Sequence, residues 1–230
     1  MTAKNLLRRV NRGILLAVAL IIGLIVWLAV DNARFTKEKD DITAMLDQYA
    51  VESASLMILP ESDQNPGETV SATAVEKQLK DAQPVFDRFL TGGGRYSSAN
   101  ERAPMEMRNA LESNAVSRTY VTGCEFKITK VGKLRKVASG YAQADISVDA
   151  SFKIIGKPIA MILHNTWYTD ESGQWYGKGE MPADMTYDTE IRTLSQSVTF
   201  MDVLLRKVNG EWKIAESNGM NWNSRTVVSY

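Results

Sequence analysis

The sequence predicts an α+β protein in which an N-terminal transmembrane helix precedes further helices and then a long antiparallel sheet. Residues 13–30 form an uncharged apolar run of 18 residues. Residues 36–59, 72–90 and 104–115 place their apolar side chains at helical spacing. After residue 117 apolar and polar side chains alternate, which is the spacing of strands. Helices in the first half and strands in the second half are typical of a segregated α+β domain.

The apolar run begins at Gly13 and ends at Val30. At about 1.5 Å per residue it makes roughly 27 Å of helix, close to the hydrocarbon thickness of a bilayer. Four basic residues and no acidic residue precede it, whereas Asp31 follows it directly. By the positive-inside rule, a 12-residue N-terminal tail is cytoplasmic and the chain after Val30 is extracytoplasmic. A cleaved signal peptide is the alternative, but its apolar core is usually only about 7–15 residues long.

The chain is therefore divided into a tail at residues 1–12, a membrane span at 13–30, a juxtamembrane amphipathic helix at 31–60 and an outer α+β domain at 61–230, with the amphipathic helix forming part of that domain. The apolar positions of the amphipathic helix follow helical spacing, and the helix is expected to continue the membrane helix outward. These positions are Ile42, Met45, Leu46, Tyr49 and Leu56.

Two more helices are predicted before the sheet. One covers residues 72–90, with Pro84 as a kink or a restart, and ends at the glycine-rich stretch 91–94. The other covers residues 104–115, with Pro104 in the first turn, where its missing N–H costs nothing.

Strand periodicity is clearest over residues 141–154, where apolar and polar side chains alternate without interruption. Residues 122–128 alternate in the same way, and residues 158–168 form a further strand. Turns are expected at 132–133, 156–157 and 171–173, and a long loop is expected at 177–190. Asn209 and Gly210 separate two strand-like segments and predict a type I′ hairpin.

Composition excludes several classes of function. The chain has 27 Lys+Arg and 27 Asp+Glu, so it is not a polybasic nucleic-acid binder. Cys124 is the only cysteine and His164 the only histidine. Metal clusters bound by several cysteines are therefore excluded, and no metal or cofactor is expected. No Asn-x-Ser/Thr sequon occurs, which favours a bacterial exported protein.

The last hairpin carries a resemblance to a known family. It joins a hydrophobic strand, a turn with glycine and a Trp-Lys-Ile strand, formed by Val203, Leu204, Leu205, Asn209, Gly210, Trp212, Lys213 and Ile214. Together with the order of helices before strands, this resembles the nuclear transport factor 2-like superfamily. The resemblance implies a cone-shaped α+β domain, a fold that hosts enzymes, ligand binders and structural modules alike. The layout also resembles the single-pass assembly factors of type IV secretion and conjugation machines.

Two sets of residues are candidates for a functional site. His164 with Asp145 or Asp149 would form an acid–base pair if the faces of their strands coincide; ordinary surface carboxylates beside a sheet histidine are the alternative. Trp175, Tyr176 and Trp222 are candidates for binding a partner, because aromatic side chains anchor interfaces. Cys124 is expected to be a buried, inert thiol.

These observations favour a non-enzymatic, membrane-anchored module that binds other envelope proteins or itself, as in a bacterial secretion or conjugation complex. The poverty of catalytic residue types supports this interpretation, because esterase, transpeptidase and zincin motifs are all missing. The alternative is a tethered small-molecule-binding or enzymatic cone that uses His164 with one of the two carboxylates.

Overall fold

The computed structural model describes residues 12–64, 68–93, 98–117, 120–155, 168–169, 175–176, 191–216 and 225–229. The chain divides into two compact units, residues 1–42 and 43–230. Helix α1, Arg12–Leu56, begins in the first unit and ends in the second. The apolar run and most of the predicted amphipathic segment thus lie on one continuous helix, as expected, but this helix ends at Leu56, four residues before the predicted end at residue 60.

In the first unit, residues 16–30 of α1 are exposed throughout. An 18-residue window of this helix has a mean hydropathy of 2.2 and is not buried in any part. The helix is therefore long and apolar enough to span a membrane.

In the second unit, α1 ends at Leu56 against the next helix. Gln78 is buried, and its Nε2 donates hydrogen bonds to the carbonyl oxygens of Leu56 at 2.5 Å and Ile58 at 3.2 Å. A helix C-terminus leaves carbonyl groups without intrahelical partners, and Gln78 satisfies two carbonyl groups at this one. A short 3-10 turn, Glu61–Asp63, follows.

Helix α2, Ala72–Phe89, begins at Ser71, whose side-chain oxygen accepts a hydrogen bond from the Ala74 N–H at 3.1 Å. Pro84 lies inside the helix, which continues through it to Phe89.

Helix α3, Ala99–Ser117, begins five residues before the predicted start. The prediction that Pro104 occupies the first turn is therefore wrong, because the carbonyl of Ser98 already accepts the N–H groups of Glu101 and Arg102.

The sheet is mainly antiparallel and is built on four long strands. These are β1, Tyr120–Ala138; β2, Tyr141–Ile155; β5, Arg192–Val208; and β6, Glu211–Glu216. Three short strands complete it: β3, Tyr168–Thr169; β4, Trp175–Tyr176; and β7, Arg225–Ser229. The order is β1-β2-β5-β7-β3-β4, with β6 also paired to β5. An α+β fold is thus confirmed.

Strand β2 confirms the alternation read from the sequence. Every second residue from Ala142 to Ile154 is buried, and the residues between them are partly or fully exposed. The buried face includes Ile146, Val148 and Phe152, whose ring meets that of Phe126 on β1 at 5.6 Å between centroids. One face of the sheet therefore packs into the core and the other is polar.

Two β-bulges lie side by side on the polar face. On β1, Lys133 and Leu134 stand opposite the single residue Ala144, and on β5, Met201 and Asp202 stand opposite Asp145. Lys133 has φ 49° and Asp202 has φ 54°, so each bulge holds a residue in the left-handed region. The predicted turn at residues 132–133 is therefore wrong: these residues lie within β1, and the turn is at 139–140.

The hairpin of β5 and β6 is confirmed. Asn209 has φ 52° and Gly210 has φ 91°, so both central residues have the positive φ that a type I′ turn requires. The expected loop at 177–190, the turns at 156–157 and 171–173 and most of the strand predicted at 158–168 lie outside the described residues.

Candidate functional site

An apolar cavity of about 380 Å³ lies in the second unit, between its helices and the buried face of the sheet. Its floor is formed by β-strand residues that alternate onto that face, including Phe126, Ile146, Val148 and Phe200. Its walls come from the last turns of α1, the end of α2 and the first half of α3. The volume lies within the range of about 300–1,000 Å³ that is usual for small-molecule sites.

Small side chains on the helices create the space. Ala50 on α1 and Ala99, Ala103 and Ala110 on α3 all face the cavity. An alanine leaves space that a leucine at the same position would fill, so these positions contribute to the volume of the cavity. Three methionines, Met57, Met105 and Met107, also line the cavity. Methionine side chains adapt readily to ligands of different shapes.

A few polar groups also line the cavity. Arg102 Nε and Glu106 Oε1, one helical turn apart on α3, lie 2.5 Å from each other. Their side chains are 31% and 32% exposed, so this ion pair lies at the rim.

Tyr49 lies on the α1 wall, with its ring 5.5 Å from that of Phe89. Burial, and after it the negative charge of Glu106, raise the pKa of the Tyr49 phenol, a group that is protonated at neutral pH even at its ordinary pKa.

The two carboxylates proposed as acid–base partners lie on the polar face of β2, whereas its Ile146 and Val148 line the cavity. Asp145 Oδ1 accepts the Asp202 backbone N–H at 3.0 Å, and Asp145 Oδ2 lies 2.9 Å from Lys133 Nζ. The Asp202 N–H, followed by Lys133, lowers the pKa of Asp145. Asp149 Oδ1 accepts a hydrogen bond from Ser197 Oγ at 2.6 Å. The structure thus gives both carboxylates partners on neighbouring strands.

His164 and Trp222 lie outside the described residues, so the pairing of His164 with a carboxylate stays a prediction. Trp175 and Tyr176 form strand β4, which pairs with β3 at Thr169 and Tyr168. Their assignment as partner-binding residues also stays a prediction.

The structure also describes the surroundings of Cys124 and of the glycine-rich stretch. Cys124 is partly buried, less than the full burial expected, and this burial raises the pKa of its thiol, which keeps it protonated and a poor nucleophile. At the glycine-rich stretch, the Gly92 carbonyl accepts a hydrogen bond from Arg206 Nη1 at 3.2 Å. Gly93 has φ 109°, and a Cβ there would lie 2.9 Å from the same Nη1. Within the described ranges, no three His, Cys, Asp or Glu side chains gather as metal ligands.

The sequence interpretation missed Tyr49, Arg102 and Glu106 as site residues. The Arg-x-x-x-Glu spacing on a predicted helix is visible in the sequence, but it also occurs on ordinary exposed helix faces. The recurrence of alanine at 99, 103 and 110 was the more informative signal, because a helix with alanines on its inner face leaves room beneath it.

Comparison of the chain with known protein families, with curated proteins and with solved structures finds no match. The cavity and α1 are therefore the features that bear on function.

Proposed function

We propose that the protein is a membrane-anchored module whose extracytoplasmic α+β domain binds a small apolar molecule in the cavity beneath its sheet. The cavity carries this proposal. It has the volume, the mainly apolar lining and the small number of polar groups that are typical of ligand sites. An enzymatic step is not part of the proposal.

The anchor is the N-terminal part of α1. Exposed apolar side chains at residues 16–30 would be costly in water and are stable in hydrocarbon. The basic residues before the span and Asp31 after it support a cytoplasmic N-terminus, and thus an inner-membrane protein whose folded domain lies outside. The α+β order and the closing hairpin support a nuclear transport factor 2-like cone for that domain.

The test uses the full chain in lipid nanodiscs, labelled with ¹³C at the methionine methyl groups. Naphthalene is the probe. We expect it to shift the methyl signals of Met57 and Met107, which line the cavity, and to leave those of Met45 and Met201 in place. Because the readout is local, partition of naphthalene into lipid does not imitate binding.

Ala103→Leu places a larger side chain in the cavity. It should weaken naphthalene binding about tenfold, since overpacking costs about 1–3 kcal/mol and 1.4 kcal/mol is tenfold. Ala72→Leu, at an exposed position of α2, is the matched control and should leave binding unchanged. Absence of any shift at Met57 and Met107 in the unmodified chain would contradict the proposal.

A second candidate is the assembly module of a bacterial secretion or conjugation complex. One observation favours it: α1 continues for 26 residues beyond the apolar run, and the charged residues Arg34 and Lys37 in its first part are exposed. Photo-crosslinkers placed at Arg34 and Lys37 in cells test it. Covalent products with one defined envelope protein, or with a second copy, would support assembly, and an uncrosslinked monomer would count against it.

A further inference from the structure

The two charged side chains that line the cavity pair with each other. Arg102 and Glu106 form an ion pair at 2.5 Å, so the rim carries one positive and one negative charge and no net charge. The other polar side chains that face the cavity are neutral: Tyr49, Ser53 and Asn109. A ligand with a net charge would meet no unmatched opposite charge among these residues.

From this balance we infer that the cavity selects an uncharged apolar molecule with one hydrogen-bonding oxygen, held at Tyr49 beside the Arg102–Glu106 pair. The inference rests on the proposed binding function and adds the chemical class of the ligand. The apolar body would lie against Phe126, Ile146 and Val148 on the sheet.

The size of the ligand follows from the volume. A cavity of about 150 Å³ accommodates benzene. By proportion, the present cavity of about 380 Å³ accommodates roughly 15 non-hydrogen atoms. A bicyclic aromatic alcohol, a medium-chain alcohol or a small terpenoid alcohol has this size and this chemistry.

Selection against charge has a physical basis. An ionised group loses its hydration when it enters an apolar site, and it recovers that loss only from an opposite charge or from several hydrogen bonds. A carboxylate bound at Arg102 would lie beside the like charge of Glu106, and an ammonium bound at Glu106 would lie beside the like charge of Arg102. A neutral oxygen meets no like charge, and the Tyr49 hydroxyl can donate a hydrogen bond to it.

The test compares four probes with the same ring system in the full chain, using the methyl signals of Met57 and Met107. The probes are naphthalene, 1-naphthol, 1-naphthoate and 1-naphthylmethylammonium, at neutral pH. We expect 1-naphthol to bind about fivefold more tightly than naphthalene, the gain from one added hydrogen bond. Both charged probes should bind at least about tenfold more weakly than 1-naphthol.

Tyr49→Phe removes the hydroxyl and keeps the ring. It should reduce the affinity for 1-naphthol to that for naphthalene and leave naphthalene binding unchanged. Tyr141→Phe, on β2 beneath the Arg206 guanidinium, is the matched control and should preserve the preference. If Tyr49→Phe does not fold, the order of the four probes in the unmodified chain still decides.

The outcomes separate this inference from the proposed function. Tightest binding by either charged probe, or equal binding by all four, would overturn the inference while the cavity remained a binding site. Binding by none of the four would overturn the proposed function as well. A preference for 1-naphthol that survives in Tyr49→Phe would assign the hydrogen bond to another group and overturn the role of Tyr49.

Discussion

At the scale of single residues, Asp145 connects three strands with one side chain. It lies on the central one, β2, and its two oxygens reach a backbone N–H on β5 and an ammonium group on β1. Both partners are bulge residues with positive φ. Bulges increase local twist and bend the strand that contains them. We infer that Asp145 stabilises the bent region of the sheet.

Asp145→Ala should lower the free energy of unfolding by about 1–2 kcal/mol, because it removes a charged acceptor from the Asp202 N–H. Asp149→Ala removes a hydrogen bond to an exposed serine on the same face and should cost less. Urea unfolding of the full chain in nanodiscs, followed by the methyl signals of the second unit, measures both. An equal loss in the two variants would contradict the structural role of Asp145.

The pH dependence of this effect has a definite sign. The pKa of Asp145 is lowered in the folded protein, so its contribution is fully present above the unfolded pKa of about 3.9. It is lost as the pH falls through the lower, folded value. The difference in stability between the unmodified chain and Asp145→Ala should therefore be constant near neutral pH and shrink below about pH 4. A difference that grows under acid would contradict the assignment.

At the scale of elements, the hairpin of β5 and β6 depends on its two turn residues. Gly210 has φ 91°, where a side chain is strained, so Gly210→Ala should cost about 1–2 kcal/mol. Gly132→Ala is the control, because its φ is not positive and its Cβ would lie at an ordinary 3.6 Å from Lys130. Thermal unfolding in nanodiscs compares them. A greater loss at Gly132 would show that the turn does not limit the stability of the sheet.

Elements whose signals are local could be predicted from the sequence. The alternation of β2 and the Asn209–Gly210 turn depend on neighbouring residues, and both agree with the structure. Gly132 and Lys133 resembled a turn because a bulge uses the same residue types, and only pairing with β2 distinguishes the two. The cavity could not be predicted, since Tyr49, Ala103 and Phe126 come together only when α1 and α3 pack on the sheet.

At the scale of the whole molecule, the 45 residues of α1 make about 68 Å of helix, more than twice the hydrocarbon thickness. If residues 13–30 span the membrane as proposed, the 26 residues of the helix that follow Val30 lie outside the bilayer. A cavity in an extracytoplasmic domain that is anchored to the membrane would meet apolar molecules that leave the lipid phase. Uncharged apolar molecules concentrate in lipid, whereas charged ones do not. The proposed anchor and the proposed ligand class are thus chemically consistent with each other.

The orientation of this anchor can be measured. A protease-sensitive tag added after Tyr230 should be cleaved in intact spheroplasts, whereas a tag before Met1 should be protected until the membrane is lysed. The physical reason is the excess of positive charge before Gly13 and its absence after Val30.

Replacing Arg8, Arg9 and Arg12 with glutamate should expose the N-terminal tag in a substantial fraction of molecules. A double substitution of exposed leucines in the span, Leu20→Lys with Leu24→Lys, should instead move the protein out of the membrane fraction, since each central lysine costs about 2.5–3.5 kcal/mol on insertion. Cleavage of the N-terminal tag alone in the unmodified protein would place the cavity in the cytoplasm and contradict the proposed location.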